Sequence, residues 1–112
     1  MAATIQKDIL IFEDKKGKKP FIEWLESLDA VVRARIENRI LRLYHGNYGD
    51  YKTLQDGVNE LRLSFGSGYR VYFAEDGKTI VILLCGGDKG TQAKDIKKAI
   101  GFWKEYKEEK HG

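Results

Sequence analysis

Apolar and polar residues alternate along Asn59–Phe73, NELRLSFGSGYRVYF, and a Gly66-Ser67-Gly68 turn divides this run into two strands. If Phe65 faces Tyr69 across the turn, Leu63 opposes Val71 and Leu61 opposes Phe73 on one face. Ser64 then opposes Arg70, and Arg62 opposes Tyr72, on the other. A hairpin needs an apolar face to fold. It has no such need for two arginines and a tyrosine gathered opposite.

The pattern extends in both directions. Ile5–Phe12 is rich in β-branched and aromatic residues and predicts a first strand, closed by the polar run Glu13–Lys19. Pro20 stands where a first helical residue belongs, and Phe21, Trp24, Leu25 and Leu28 follow at helical spacing. Asp29 is the expected N-cap of a second helix with Val32, Ile36, Ile40 and Leu43 as its apolar stripe, ended by Gly46. Arg33, Arg35, Arg39 and Arg42 lie around the rest of that helix. Asn47–Gly57 reads as a polar loop.

After the hairpin, Asp76-Gly77 marks a turn into Thr79–Cys85. Opposing Glu75 and Lys78 places Ile80 and Ile82 beside Phe73 and Val71 on the core face. Val81 and Leu83 make this strand apolar on both faces, as expected of a strand covered on both sides. They also imply that the arginine face lies in a groove. Gly86–Gly90 reads as a flexible connector, and Thr91 as the cap of a last helix with Ile96, Ile100 and Trp103 as its stripe. Lys94, Lys97, Lys98, Lys104 and Lys107 occupy its other faces. The predicted class is α+β: an N-terminal strand, two helices packed on one sheet face, a three-stranded antiparallel meander and a C-terminal helix.

Length and composition narrow the picture. The 112 residues form one expected domain over 1–112, with 42% apolar and 33% charged residues, which argues against disorder. A net charge of +3 is too small to imply nucleic-acid binding, so the distribution of charge matters more than its sum. Cys85 is the single cysteine, so no disulfide framework or thiolate cluster forms within the chain, and a reduced, cytoplasmic setting fits. The start lacks a signal pattern, and Ile80–Cys85 is too short an apolar run to cross a bilayer; no membrane role is expected.

Several chemistries fall away. His45 and His111 have no metal-ligand spacing to each other or to Cys85, so no metal and no cofactor are expected. Cys85 reads as a small core residue. GGDKGT lacks the spacing and the ending of a nucleotide-binding loop. The basic constellation survives: Arg62, Arg70 and Tyr72 on one face, Lys89 after the next strand, and Lys94 and Lys98 a helical turn apart beyond it. Guanidinium groups offer bidentate donors to phosphate, and a tyrosine can stack on a base or shuttle a proton. Solvated charges on an open sheet face are the competing account of the same residues.

ELR, then GYRVYF, then LLCGGDKGTQAKDIKKA resembles the RelE/ParE toxin superfamily, and most closely its HigB-like branch, the addiction module killer proteins. The resemblance also takes in PFIEWLESL, ARIENRILRL and the order of elements. It implies a RelE-like toxin of a type II toxin–antitoxin pair whose partner is a small helix-turn-helix antitoxin. It further implies a metal-independent endoribonuclease acting on messenger RNA at the ribosome. Carried over by position, Arg70 matches the arginine of GYR, Arg62 that of LR, and Lys89 the basic residue after the last strand; with Tyr72 they form the expected catalytic set. Lys52, Lys94 and Lys98 are the expected RNA contacts, and Tyr106 or Lys107 could supply the aromatic or basic residue such sites carry near the C-terminus. A ParE-like gyrase inhibitor without catalysis, or a degenerate toxin kept for antitoxin binding, is the alternative.

Overall fold

The computed structural model describes residues 6–111. The elements are β1 (Asp8–Ile11), α1 (Pro20–Glu26), α2 (Ala30–Tyr44), β2 (Tyr51–Thr53), β3 (Asn59–Leu63), β4 (Tyr69–Asp76), β5 (Ile80–Asp88) and α3 (Gln92–His111), with a 3-10 turn at Lys89–Thr91. The strands form one sheet in the order β1-β5-β4-β3-β2. β1 runs parallel to β5, and the other neighbours are antiparallel. The fold class is α+β, as the pattern predicts, with one strand more.

That strand is β2, within the segment read as a loop. All of its residues are exposed, so it has no apolar alternation to betray it. It exists through backbone pairing with β3, Tyr51 to Leu61 and Thr53 to Asn59. At the other edge β1 is shorter than predicted, and Ile5 lies outside the described residues.

Helices cover both faces. Phe21 and Leu25 of α1, with Ile36 and Leu43 of α2, pack on Leu61, Leu63, Val71, Phe73, Val81 and Leu83. Ala99 and Trp103 of α3 pack on Tyr72, Ala74, Ile82, Leu84 and Cys85 on the opposite face. Burying each large aliphatic or aromatic side chain stabilises the fold by about 1.5–3 kcal/mol, so both layers are needed to hold the sheet between them. α2 starts as predicted, with the Asp29 carboxylate accepting from the Val31 and Val32 amides at 3.1 Å. It ends with Gly46 at φ +84°, the left-handed position that favours glycine.

Both hairpin registers differ from expectation. In the first, Leu63 pairs with Tyr69, Leu61 with Val71, Arg62 with Arg70 and Glu60 with Tyr72. The connection is longer than Gly-Ser-Gly, running from Ser64 to Gly68, and each expected pair shifts by two residues. A shift of two preserves the faces, so Arg62, Arg70 and Tyr72 do share one. In the second, Asp76 pairs with Ile80 across Gly77-Lys78-Thr79, and Phe73 pairs with Leu83. This offset is odd, so the faces exchange. Val81 and Leu83, not Ile80 and Ile82, join Phe73 beneath α1 and α2. The strand is covered on both sides, as expected, but Ile82 and Leu84 are the residues under α3.

Between Tyr72 and Phe73 the pairing to β5 jumps from Cys85 to Leu83, so Leu84 is an extra residue, a β-bulge. Beyond it, Gly86 and Gly87 continue the strand instead of forming a flexible connector. They admit no larger residue: a Cβ on Gly86 would lie 2.2 Å from the Trp24 ring, and one on Gly87 1.8 Å from the Asp95 carboxylate. The cap is also displaced from Thr91 to Asp88. The Asp88 side chain accepts from the Gly90 and Thr91 amides, and the Thr91 hydroxyl reciprocates.

Candidate active site

α3 covers the sheet only as far as Tyr72 and begins at Gln92, leaving the end of β3 and β4 open on that face. There Arg62 and Arg70 stand directly opposite each other across the strands. With Asp50, Ser64, the Gly66–Gly68 turn and Lys89 they line a cleft of about 440 Å³. Like charges at paired positions repel, so this arrangement needs a counter-charge.

Glu60 supplies it. The residue is fully buried, and its Oε1 accepts from Arg62 Nε at 2.9 Å. Its Oε2 accepts from Gln92 Nε2 at 2.7 Å and from the Tyr72 hydroxyl at 3.1 Å. Arg70 Nε lies 3.9 Å from the same oxygen, within ion-pair range, yet is buried without a hydrogen bond. Burial alone would raise the Glu60 carboxyl. Hydrogen bonds from Gln92, Arg62 and Tyr72, together with the Arg62 charge, outweigh it and hold the group below its ordinary range. The bond to Glu60 raises Arg62 in turn. Arg62 and Arg70 both line the cleft, and Arg70 Nη1 donates to the Gly68 carbonyl at its turn.

A third arginine fixes the wall. Arg39, on α2, donates to the backbone carbonyls of Arg62 at 2.6 Å, Asp50 at 2.7 Å and Tyr48 at 3.1 Å. It bolts the loop before β2 to the strand that carries Arg62. Read from sequence as outer surface of α2, it is a clamp. Asp50 is thereby brought to the rim of the cleft, where it is the one carboxylate among the lining residues.

The expected site residues divide into groups. Arg62, Arg70 and Lys89 come together in the cleft. Tyr72 shares their face but is fully buried, with its hydroxyl committed to Glu60. Burial and the Glu60 charge also raise its pKa, and Tyr72 is not among the residues that line the cleft. Lys52 pairs with Glu60 across β2 and β3, on the same face but exposed and outside the cleft. Lys94 and Lys98 line a different groove, of about 920 Å³, beside Trp24, Gly86 and Phe102. Tyr106 and Lys107 lie at the far end of α3, where the Tyr106 hydroxyl donates to Asp76, at the opposite end of β4 from Arg70.

Glu60, Gln92, Asp50 and Arg39 are the residues the sequence reading missed. Glu60 carried a signal, since it stands two residues before Arg62 and so on the same strand face. The two-residue register error paired it away from Tyr72 and concealed it. Cys85 is buried as expected, and its thiol is pushed up to about 12 by burial and the nearby Asp95 charge. Among the described residues no group of histidine, cysteine and carboxylate side chains is arranged to hold a metal ion. No helix among them is long and apolar enough to cross a membrane.

Comparison with known proteins places this geometry. A protein of Haemophilus influenzae described only as uncharacterized is 52% identical over 80 residues, covering 70% of this chain and 81% of that one. The free-state structure of an arginine-to-alanine double mutant of the Escherichia coli toxin RelE superposes with a TM-score of 0.62. That likeness covers 86% of this chain and 95% of the toxin at 15% identity, a level that speaks for the fold. The profile of the phage-derived protein Gp49-like family (DUF891) matches residues 23–104, so the chain belongs to that family and carries the fold of the RelE-like toxins.

Proposed function

We propose that the protein is the toxin of a toxin–antitoxin pair, of the HigB-like kind, and that it cleaves messenger RNA at the ribosome without a metal. The observation that carries this reading is the paired Arg62 and Arg70 at one end of the sheet, in a cleft that also presents Lys89 and Asp50.

RNA cleavage by its own 2′-hydroxyl forms a bond from that oxygen to phosphorus and breaks the bond to the 5′-oxygen of the next nucleotide. The proton leaves the 2′-hydroxyl, and another must reach the departing 5′-oxygen. Arg62 and Arg70 stabilise the extra charge on the phosphorane. Asp50 is the acceptor for the 2′-hydroxyl proton, and Lys89 the donor to the leaving oxygen. Lys52, on the same sheet face, extends the positive surface along which the strand enters. The products are a 2′,3′-cyclic phosphate and a 5′-hydroxyl. A small helix-turn-helix antitoxin, by this reading, neutralises the toxin.

The test is induction in a bacterial host with transcript mapping. Growth arrest and translation-dependent cuts in messenger RNA are the expected result, both lost in Arg70→Ala while the variant stays folded. Intact transcripts with DNA damage would show a gyrase inhibitor instead. A fully toxic Arg70→Ala would refute the assignment.

A further inference from the structure

We infer that Glu60 is a positioning residue that sets the balance between holding RNA and cutting it, by fixing the two cleft arginines while cancelling part of their charge. The inference rests on the ribonuclease reading above and assigns a role to a residue that cannot itself touch RNA.

Three observations combine. The carboxylate is wholly buried, so it cannot act as base or acid towards a substrate in the cleft. Both of its oxygens are also already engaged. Oε1 holds Arg62 Nε, and Oε2 is occupied by Gln92 and Tyr72, which leaves Arg70 Nε buried and without a partner 3.9 Å away. Finally, Arg62 and Arg70 are direct cross-strand neighbours, a pairing that repels unless an anion sits beneath it.

These facts give the two arginines different jobs. Pinning Arg62 by its Nε fixes the plane of the guanidinium and leaves its terminal nitrogens for a phosphate, which takes such a fork bidentately. Arg70 is held back from Glu60 because Gln92 and Tyr72 occupy the oxygen it faces. Its NH1 donates instead to the Gly68 carbonyl at 3.1 Å, at the cleft turn. The first residue of α3 thus decides how far Arg70 reaches into the cleft. Glu60 meanwhile lowers the positive potential at the phosphate, so ground-state RNA is held less tightly than two bare arginines would hold it. The fixed geometry is what favours the transition state, because guanidinium groups already in place meet the charge that develops there without reorganising, and this outweighs the potential that Glu60 removes.

Two variants separate this role from plain structural support, because they move RNA affinity in opposite directions. Glu60→Gln keeps the shape and removes the charge. It should bind a 2′-O-methyl RNA oligonucleotide, which cannot be cut, roughly 3-fold or more tightly at low salt, since an anion beneath the phosphate site is gone. Its saturating rate of reporter messenger RNA cleavage in a cell-free translation reaction should fall on the order of 10- to 100-fold, as expected for a displaced catalytic group.

Gln92→Ala, at the half-buried start of α3 and outside both cores, frees Oε2 to draw Arg70 inward. It should bind the same oligonucleotide more weakly and also cleave more slowly. A merely structural Glu60 would instead lose binding and cleavage together in Glu60→Gln. That result, or a Glu60→Gln that cleaves like the native protein, overturns the inference while leaving the ribonuclease reading intact. If Glu60→Gln does not fold, a Gln92→Ala with unchanged binding and cleavage overturns it alone. A native protein that cuts no messenger RNA in the same reaction defeats the ribonuclease reading and the inference with it.

Discussion

Arg70 and Glu60 illustrate how one strand position changes meaning with its neighbours. Arg70→Ala removes a charge aimed at the scissile phosphate and should lower cleavage about 10²–10³-fold, the usual effect of deleting one such donor. Melting temperature should fall by only a few degrees, since Arg70 belongs to neither hydrophobic core and Glu60 keeps its bonds to Arg62, Gln92 and Tyr72. Glu60 links the same site to acid stability. Its folded pKa lies below the ordinary value of 4.5, so its contribution is fully present above that value and disappears as pH falls through the folded pKa. Thermal melts in an acid series should therefore show the native protein's advantage over Glu60→Gln constant above pH 4.5 and shrinking as the pH falls below it. Cys85 offers an independent check of the core. With its thiol held protonated and buried, it should react with a disulfide reagent at pH 8 only as fast as the fold opens, and fast once denaturant unfolds the chain.

At the scale of elements, helices were far more legible than strand edges. The α2 stripe of Val32, Ile36, Ile40 and Leu43, its Asp29 cap and its Gly46 stop are each visible in a local window, because helical contacts are local. Asp29→Ala should accordingly cost about 1 kcal/mol in chemical denaturation, the usual loss for an N-cap. β2 was invisible because its three exposed residues owe their form to β3 alone. The hairpin registers failed for a different reason. Turn length is not written in the strands it joins, and the connection here takes in Ser64 and Phe65 as well as Gly66–Gly68. The arginine face survived that error only because the slip was even. Arg39 was unreadable for the same cause, since its acceptors are backbone carbonyls of residues up to 23 positions away. Arg39→Ala should loosen the wall carrying Asp50, seen as faster amide exchange at Asp50 and Arg62 with the helix itself unchanged.

Across the whole molecule, charge is sorted into separate regions that no sum reveals. The net charge is only +3, yet the arginine cleft and the lysine groove lie on either side of the Lys89–Thr91 turn. Titrating RNA affinity against salt should distinguish them. Arg62→Ala and Lys89→Ala should each reduce the log–log slope by about one, one phosphate contact apiece. Lys94→Ala and Lys98→Ala should leave it unchanged, since those lysines stand beside Trp24 and Gly86 in the other groove.

The single extra residue at Leu84 has a consequence for how this chain can diverge. Upstream of it β5 turns Val81 and Leu83 toward α1 and α2; downstream it must turn Gly86 toward Trp24 and Gly87 toward Asp95. Loss of residue 84 would let the Tyr72–Cys85 and Phe73–Leu83 pairs follow one another directly, with every remaining side chain on its own face. The same loss in β3, which has no extra residue, would turn the residues on one side of it to the wrong face. In a library of all single substitutions and single-codon deletions, position 84 should tolerate other apolar residues such as Ile or Met. Its deletion should cost the packing of one buried leucine yet keep the register, and be less damaging than deletion of Leu61 in β3, so this strand can shorten by one residue where β3 cannot.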